Sequence, residues 1–228
     1  MKNIIEVISV APLFNGLNID ALQTVAAIAL YKDYNKGQII FSEGDSGNGF
    51  YIVAAGKVKI FKISAEGKEQ ILHIFGAGEP FGEVPVFTGR PFPANAQAIS
   101  ASRILFFPKS AFIAAIARNP SLALSMLGIL SMRLREFTVQ IENLSLKEVP
   151  GRLSSYLLYL SDEQKNPHSV RLGISKSQLA SLLGTIPETL SRMLARMAAS
   201  RLICVQGNDI RLLNREELQN LSEGGKLA

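Results

Sequence analysis

Ile174-Ser175-Lys176-Ser177-Gln178-Leu179-Ala180-Ser181-Leu182-Leu183-Gly184-Thr185-Ile186-Pro187-Glu188-Thr189-Leu190-Ser191-Arg192-Met193-Leu194 reads as two short helices that meet at Gly184. Ser175 with Gln178, and Thr185 with Glu188, have the hydroxyl-x-x-acid/amide spacing of a capping box, which satisfies amides left unpaired at a helix start. Leu179, Ala180, Leu183, Ile186, Leu190, Met193, Leu194 and Met197 recur at helical spacing and predict one small core shared by both helices. That is the helix-turn-helix pattern. On the second helix Glu188, Ser191 and Arg192 fall at i, i+3 and i+4, opposite Leu190, Met193 and Leu194, and Arg196 extends the same face. A guanidinium pairs with both major-groove acceptors of guanine, a carboxylate accepts from the cytosine amino group, and a serine hydroxyl reaches a base or phosphate. Lys176 and Ser177, opening the first helix, join the candidate DNA contacts. Taken alone, the helix pair leaves open that Glu188 only caps its helix and that the arginines are merely solvated.

The flanking sequence favours DNA. Leu202-Ile203-Cys204-Val205-Gln206-Gly207-Asn208-Asp209-Ile210-Arg211-Leu212-Leu213 places two apolar runs around a Gly-Asn-Asp turn, a β-hairpin. A helix-turn-helix followed by a hairpin is a winged module. Between Arg171 and Arg211 stand six basic side chains (Arg171, Lys176, Arg192, Arg196, Arg201, Arg211) against two acids (Glu188, Asp209), an excess that suits a phosphate backbone.

With 228 residues, 47% hydrophobic and 19% charged, the chain can bury two cores, and its net charge of +5 favours an anionic partner. The single cysteine, Cys204, excludes an internal disulfide and an iron–sulfur cluster held by one chain's thiolates, and a reducing cytoplasm fits it. The opening Met1-Lys2-Asn3-Ile4-Ile5-Glu6-Val7-Ile8 carries Glu6 and lacks a sustained apolar core, and no run approaches the roughly 18 residues of a membrane span. A soluble, non-exported protein without a membrane partner is expected.

Residues 12–30 read as a short helical opening, with Leu17, Leu22, Val25, Ile28 and Ala29 near helical spacing and Asn18 as its cap. From Tyr31 to about Pro108 the texture changes: glycines recur between short runs such as Gln38-Ile39-Ile40-Phe41, Phe50-Tyr51-Ile52-Val53, Val58-Lys59-Ile60-Phe61 and Gln70-Ile71-Leu72-His73-Ile74-Phe75. Regular short strands with turn signals predict an antiparallel β-roll or jelly roll able to hold a small molecule. Residues 109–118 predict a short helix ending at Asn119-Pro120. Ala123, Leu127, Leu130, Leu134, Phe137, Ile141 and Leu144 then follow alternating spacings of 4 and 3, a heptad seam on a long helix. The seam asks for a second copy, which would set two recognition helices on two half-sites; the alternative is packing along the chain's own barrel. Val149-Pro150-Gly151 is expected to interrupt the helix as a hinge, and Leu153, Leu157 and Leu160 open the DNA-binding domain. The expected class is α+β: an N-terminal double-stranded β-helix (jelly-roll) sensor domain over 1–118, a dimerisation helix over 119–148 and a winged helix-turn-helix over 149–228.

This arrangement resembles the CRP/FNR family of bacterial transcription regulators across nearly the whole chain. The motifs carrying the likeness are Gly37 through Gly44-Asp45, Phe50-Tyr51-Ile52-Val53 with Gly56, Gly78-Glu79-Pro80-Phe81-Gly82-Glu83, Asn143-Leu144, and Glu188-Thr189-Leu190-Ser191-Arg192. The resemblance implies a homodimer that binds double-stranded DNA and RNA polymerase under control of a small-molecule or gas effector. The Glu-x-x-Ser-Arg form looks like the FNR branch, whose half-sites resemble TTGA, and implies base reading by Glu188, Ser191 and Arg192. The cyclic-AMP-responsive branch tends to carry arginine where this chain has Pro187.

Cyclic-nucleotide-binding members hold the phosphate with the Phe-Gly-Glu turn and an Arg-Ser or Arg-Thr pair. Gly82 and Glu83 match the turn, but the pair falls on Pro93-Ala94, so charge and hydroxyl are both missing; Arg90 substitutes only if the loop is remodelled. The purine-facing positions correspond to Phe137 and Thr138, where Phe137 takes up space. Cyclic AMP is therefore not expected in its usual mode, although a cyclic-nucleotide-responsive regulator stays as the alternative. Relatives with Pro-Ala here include haem-dependent sensors of nitric oxide or carbon monoxide and regulators acting under oxygen limitation or nitrosative stress. Haem is thus the candidate cofactor, with His73 or Cys204 as axial ligand; the plain alternatives are a partly exposed strand histidine and a buried wing thiol. A cupin-type enzyme needs clustered histidines and a carboxylate, whereas His73 and His168 fall in different predicted domains, so no catalysis is expected. A regulatory module that binds a small molecule and a protein partner without DNA is the third class.

Overall fold

The computed structural model describes residues 4–224, so Met1, Lys2 and Asn3 of the opening stretch lie outside the described residues. The chain divides into two compact units, Met1–Leu134 and Arg135–Ala228, and the division falls inside one long helix.

The first unit opens with α1 (Ile4–Ser9), a 3-10 turn (Pro12–Phe14) and α2 (Ile19–Ile28). The Asn18 side chain accepts the Ala21 amide at 2.9 Å, the cap expected at this helix start. The strands are β1 (Leu30–Tyr34), β2 (Ile39–Phe41), β3 (Gly49–Ala55), β4 (Val58–Ile63), β5 (Glu69–Phe75), β6 (Pro80–Phe81), β7 (Asn95–Ala98) and β8 (Ser102–Pro108), with α3 (Val84–Thr88) before β7. They form two antiparallel sheets, ordered β1-β8-β3-β6 and β2-β7-β4-β5, the expected jelly roll.

The unbroken apolar run of β3 follows from burial on both faces. Phe50 and Ile52, with Leu105 and Phe107 of β8, pack outward against α1, α2, α4 (Lys109–Arg118) and the start of α5 (Ser121–Leu146). Tyr51 and Val53, with Ile104, face between the sheets onto Phe41, Val58, Phe75, Phe81 and Phe92. This interior is a layer of rings: Phe92 stacks on Phe41 with centroids 3.7 Å apart and planes within 8°.

On α5 the row that joins the outer core is Leu122 and Met126. The heptad positions Leu127, Leu134 and Ile141 are 59%, 68% and 64% exposed, and Leu144 is also exposed, so the chain's own core does not consume this seam. Leu130 and Phe137 are half-buried, Leu130 against the outer core.

The second unit holds α6 (Val149–Glu163), β9 (Ser169–Arg171), α7 (Lys176–Leu182), α8 (Pro187–Ala199), β10 (Ile203–Gln206), β11 (Asp209–Leu212) and α9 (Arg215–Ser222). The helix break lies at Lys147-Glu148, not at Val149-Pro150-Gly151, which correct the expected hinge by forming the first turn of α6. Proline is tolerated there because first-turn amides need no intrahelical acceptor. Gly151 has a packing reason: a Cβ on it would stand 2.8 Å from the Leu221 carbonyl oxygen of α9. Leu153, Leu157 and Leu160 are buried along α6. The hairpin β10–β11 turns at Gly207-Asn208, and β9, too short to read from sequence, adds a third strand beside β11.

Candidate DNA interface and effector pocket

The helix-turn-helix forms as its local chemistry dictates, with one exception. Ser175 accepts the Gln178 amide at 3.2 Å while the Gln178 side chain accepts the Ser175 amide at 2.9 Å, a complete capping box. Gly184 turns the chain at φ +66°, a left-handed conformation costly for a side chain with a Cβ. The second expected capping box does not form. Pro187 starts α8, Ile186 becomes its extended N-cap without a side-chain bond, and Thr185 sits one residue too early. Ile186 is accordingly 48% exposed, not a core residue.

Leu190, Leu194 and Met197 are buried, with Leu179, Ala180 and Leu183 also buried around α7. Glu188, Ser191, Arg192 and Arg196 consequently share the solvent face of α8, and Lys176 and Ser177 are exposed at the start of α7. Arg192 Nη2 lies 3.3 Å from Thr189 Oγ1, a weak tether one turn back. Arg171 Nε approaches Asp209 Oδ1 at 3.8 Å at the β9–β11 edge, so part of its charge is locally compensated. The sequence reading missed Arg152. It lines a cleft of about 470 Å³ with Glu148, Pro150, Thr189, Met193 and Arg196, its Nε is buried without a hydrogen-bond partner, and burial lowers its pKa below the ordinary guanidinium value. The only sequence signal was a lone basic residue after Val149-Pro150-Gly151.

In the roll, Gly82 sits with φ +72° against the rings, where a Cβ would meet Phe41 and Tyr51 at 3.1 Å and Phe92 at 3.3 Å. Glu83 is buried and paired, but not with Arg90, which is exposed on the loop after α3. Its partner is Arg133 of α5: Nη1 donates to Glu83 Oε1 at 2.7 Å, Nη2 donates to the Pro80 carbonyl at 2.7 Å, and the guanidinium lies 4.7 Å from the Phe75 centroid. A guanidinium thus does reach this turn, from a residue the sequence reading missed, and it is already committed to protein acceptors. Phe137 and Thr138 follow Arg133 by one helical turn but fall in the second unit. Pro93 is exposed and Ala94 buried, and the Pro93 carbonyl accepts from Lys62 Nζ at 3.1 Å.

The His73 ring stacks on Phe75 with centroids 4.5 Å apart, and its Nε2 lies 3.9 Å from Glu79 Oε1. Burial pushes the Glu79 carboxyl up, but the nearby His73 imidazole, the hydrogen bond from the Gly76 amide and the charge of Arg133 outweigh it, leaving the pKa below the usual value. The His73 ring therefore packs on Phe75 with the Glu79 carboxylate nearby. Cys204 is half-buried on β10, opposite Arg211, and more accessible than a buried wing thiol.

A roll that can present a ligand, followed by a long helix and a winged helix-turn-helix with an outward basic face, defines a DNA-binding transcription regulator. The family model of the cyclic nucleotide-binding domain matches residues 31–119 and that of the Crp-like helix-turn-helix domain matches residues 151–221. The chain is 30% identical to the Cyclic AMP receptor protein of Thermus thermophilus, covering 94% of this chain and 98% of that protein. It is 29% identical to the Fumarate and nitrate reduction regulatory protein of Vibrio cholerae, covering 91% and 84% respectively. Among solved structures, FixK2 from Bradyrhizobium japonicum shares the fold at TM-score 0.76 and 24% identity, over 88% of this chain and 100% of that one. The chain belongs to the CRP/FNR family of transcription regulators.

Proposed function

We propose that the protein is a cytoplasmic homodimer that reads an inverted repeat with TTGA-like half-sites, responds to an effector in its β-roll and contacts RNA polymerase at the promoter. The observation carrying this reading is that Glu188, Ser191 and Arg192 share one solvent face of α8 while Leu190, Leu194 and Met197 hold the opposite face in the core. The exposed row Leu127, Leu134, Ile141 and Leu144 supports a second copy as its cover. The role is binding rather than catalysis. In this mechanism the effector binds two arrangements of the paired helices unequally, and the break at Lys147-Glu148 passes the difference to the spacing of the recognition helices.

Cyclic AMP has no usual seat in this reading. Pro93 and Ala94 supply neither charge nor hydroxyl, and Arg133 is engaged by Glu83 and Pro80. The DNA reading is tested by gel shift on a palindromic TTGA-type probe. Arg192→Ala is expected to weaken binding by about 1–3 kcal/mol, roughly 5- to 150-fold, and to relax preference at one base pair. Wild type binding that probe no better than scrambled duplex contradicts the reading. Tight, stoichiometric cyclic-AMP binding by titration calorimetry contradicts the pocket assignment alone.

A further inference from the structure

The ring layer between the two sheets borders a cleft of about 380 Å³, within the range of small-ligand sites. Phe41, Tyr51, Phe92 and Phe106 line its apolar side, and Lys32 with the loop over 45–48 lines its polar side. Gly82, Glu83, Arg90 and Arg133 are not among the lining residues; the cleft shares the rings Phe41, Tyr51 and Phe92 with the Gly82 side of the roll and differs from the effector pocket described above in its polar groups.

Three features of this cleft point to a ligand. Tyr51 is only 7% exposed, and its hydroxyl, which makes no hydrogen bond to the described residues, is the part that opens onto the cleft. A phenol whose ring is buried and whose hydroxyl faces a cleft can donate to a ligand there without giving up a protein partner. Burial, with the neighbouring Tyr34 phenol adding to it, pushes its pKa up to about 12, so it stays protonated and able to donate. The Lys32 ammonium lies 4.2 Å from the Phe106 centroid and 5.9 Å from that of Tyr51, with no carboxylate in ion-pair range among the described residues. The Ser46, Gly47 and Asn48 amides also have no acceptor among the described residues.

We propose that this cleft is a second ligand site, for a small aromatic carboxylate. The ring goes against the aromatic walls, and the carboxylate meets the Lys32 ammonium and the Tyr51 hydroxyl. Charge selects against phosphate: Lys32 is the single cation in the lining and Asp45 opposes it, so the lining suits a monoanion or a zwitterion better than a dianion. Asp45 Oδ2 already accepts the Ser42 amide at 2.8 Å, and an amino acid's ammonium would need the remaining oxygen. Simple aromatic acids and aromatic amino acids share the recognised chemistry.

The test is titration calorimetry on the full chain without DNA, which keeps it independent of the half-site reading. The ligands are benzoate, phenylacetate and L-phenylalanine, with cyclohexanecarboxylate and inorganic phosphate for comparison. At least one aromatic carboxylate is expected to bind once per chain. Lys32→Met should weaken it about tenfold or more, Tyr51→Phe about fivefold, and Arg90→Ala not at all. Binding by phenylalanine alone assigns an amino acid, and binding by the simple acids assigns those. The proposal is overturned if no aromatic carboxylate binds up to about 5 mM, if Lys32→Met leaves affinity unchanged, or if either comparison anion binds as tightly.

Discussion

Arg133→Met removes the guanidinium that holds Glu83 while keeping a flexible apolar stem over Phe75. The two side chains are 12% and 11% exposed, and their charged groups meet at 2.7 Å. Breaking a pair this buried leaves a carboxylate with no counter-ion and the Pro80 carbonyl without its donor, a loss of about 3–5 kcal/mol. The low end applies, about 3 kcal/mol, because each group keeps some contact with water. For a unit of this size that lowers the unfolding midpoint by roughly 10 °C. Glu83→Gln should cost less, about 1–2 kcal/mol, since a neutral amide is cheaper to leave partly satisfied. The double variant Glu83→Gln/Arg133→Met should recover part of the loss, giving a coupling of about 2 kcal/mol. The assay is urea and thermal unfolding followed by circular dichroism and tyrosine fluorescence. Arg133→Met within about 0.5 kcal/mol of wild type, or a coupling indistinguishable from zero, refutes the view that this pair holds the turn closed.

Gly151→Ala should destabilise the second unit by about 1–3 kcal/mol, since the added carbon meets backbone at 2.8 Å and α6 or α9 must shift; chemical denaturation checks this. Glu79 has a folded pKa below its unfolded value, so its contribution is present above about pH 4.3 and is lost as pH falls through the lowered pKa. The difference in unfolding midpoint between wild type and Glu79→Gln should therefore shrink between about pH 6 and pH 3, and a constant difference contradicts the assignment. Leu134→Glu with Ile141→Glu should convert the dimer to monomer in sedimentation equilibrium and abolish binding to a two-half-site probe. Lys176→Ala should weaken binding to all duplexes alike and lower the salt slope by about one.

Features set by local chemistry were legible in the sequence. The Ser175–Gln178 box, the left-handed turn at Gly184, the helix ending at Asn119-Pro120 and the turn at Gly207-Asn208 each depend on a few adjacent residues. The heptad seam was also legible, because a 3.5-residue period shows wherever a helix keeps one apolar stripe. Two errors came from proline. Pro187 displaces the cap from Thr185 to Ile186, and Pro150 fits inside a first turn instead of breaking a helix. The largest omission, Arg133, is non-local: its carboxylate partner is 50 residues upstream and no short motif joins them. The available hint was that Arg133 precedes Phe137 by four residues, one turn along the same helical face.

The most direct test of the DNA-reading claim is selection of bound duplexes from a random pool by the full-length protein, followed by sequencing. The account predicts enrichment of an inverted repeat of TTGA-like half-sites with centres about 10–10.5 base pairs apart or a multiple of that, and loss of preference for its guanine with Arg192→Ala. No enrichment, or enrichment of a site without two-fold symmetry, contradicts it.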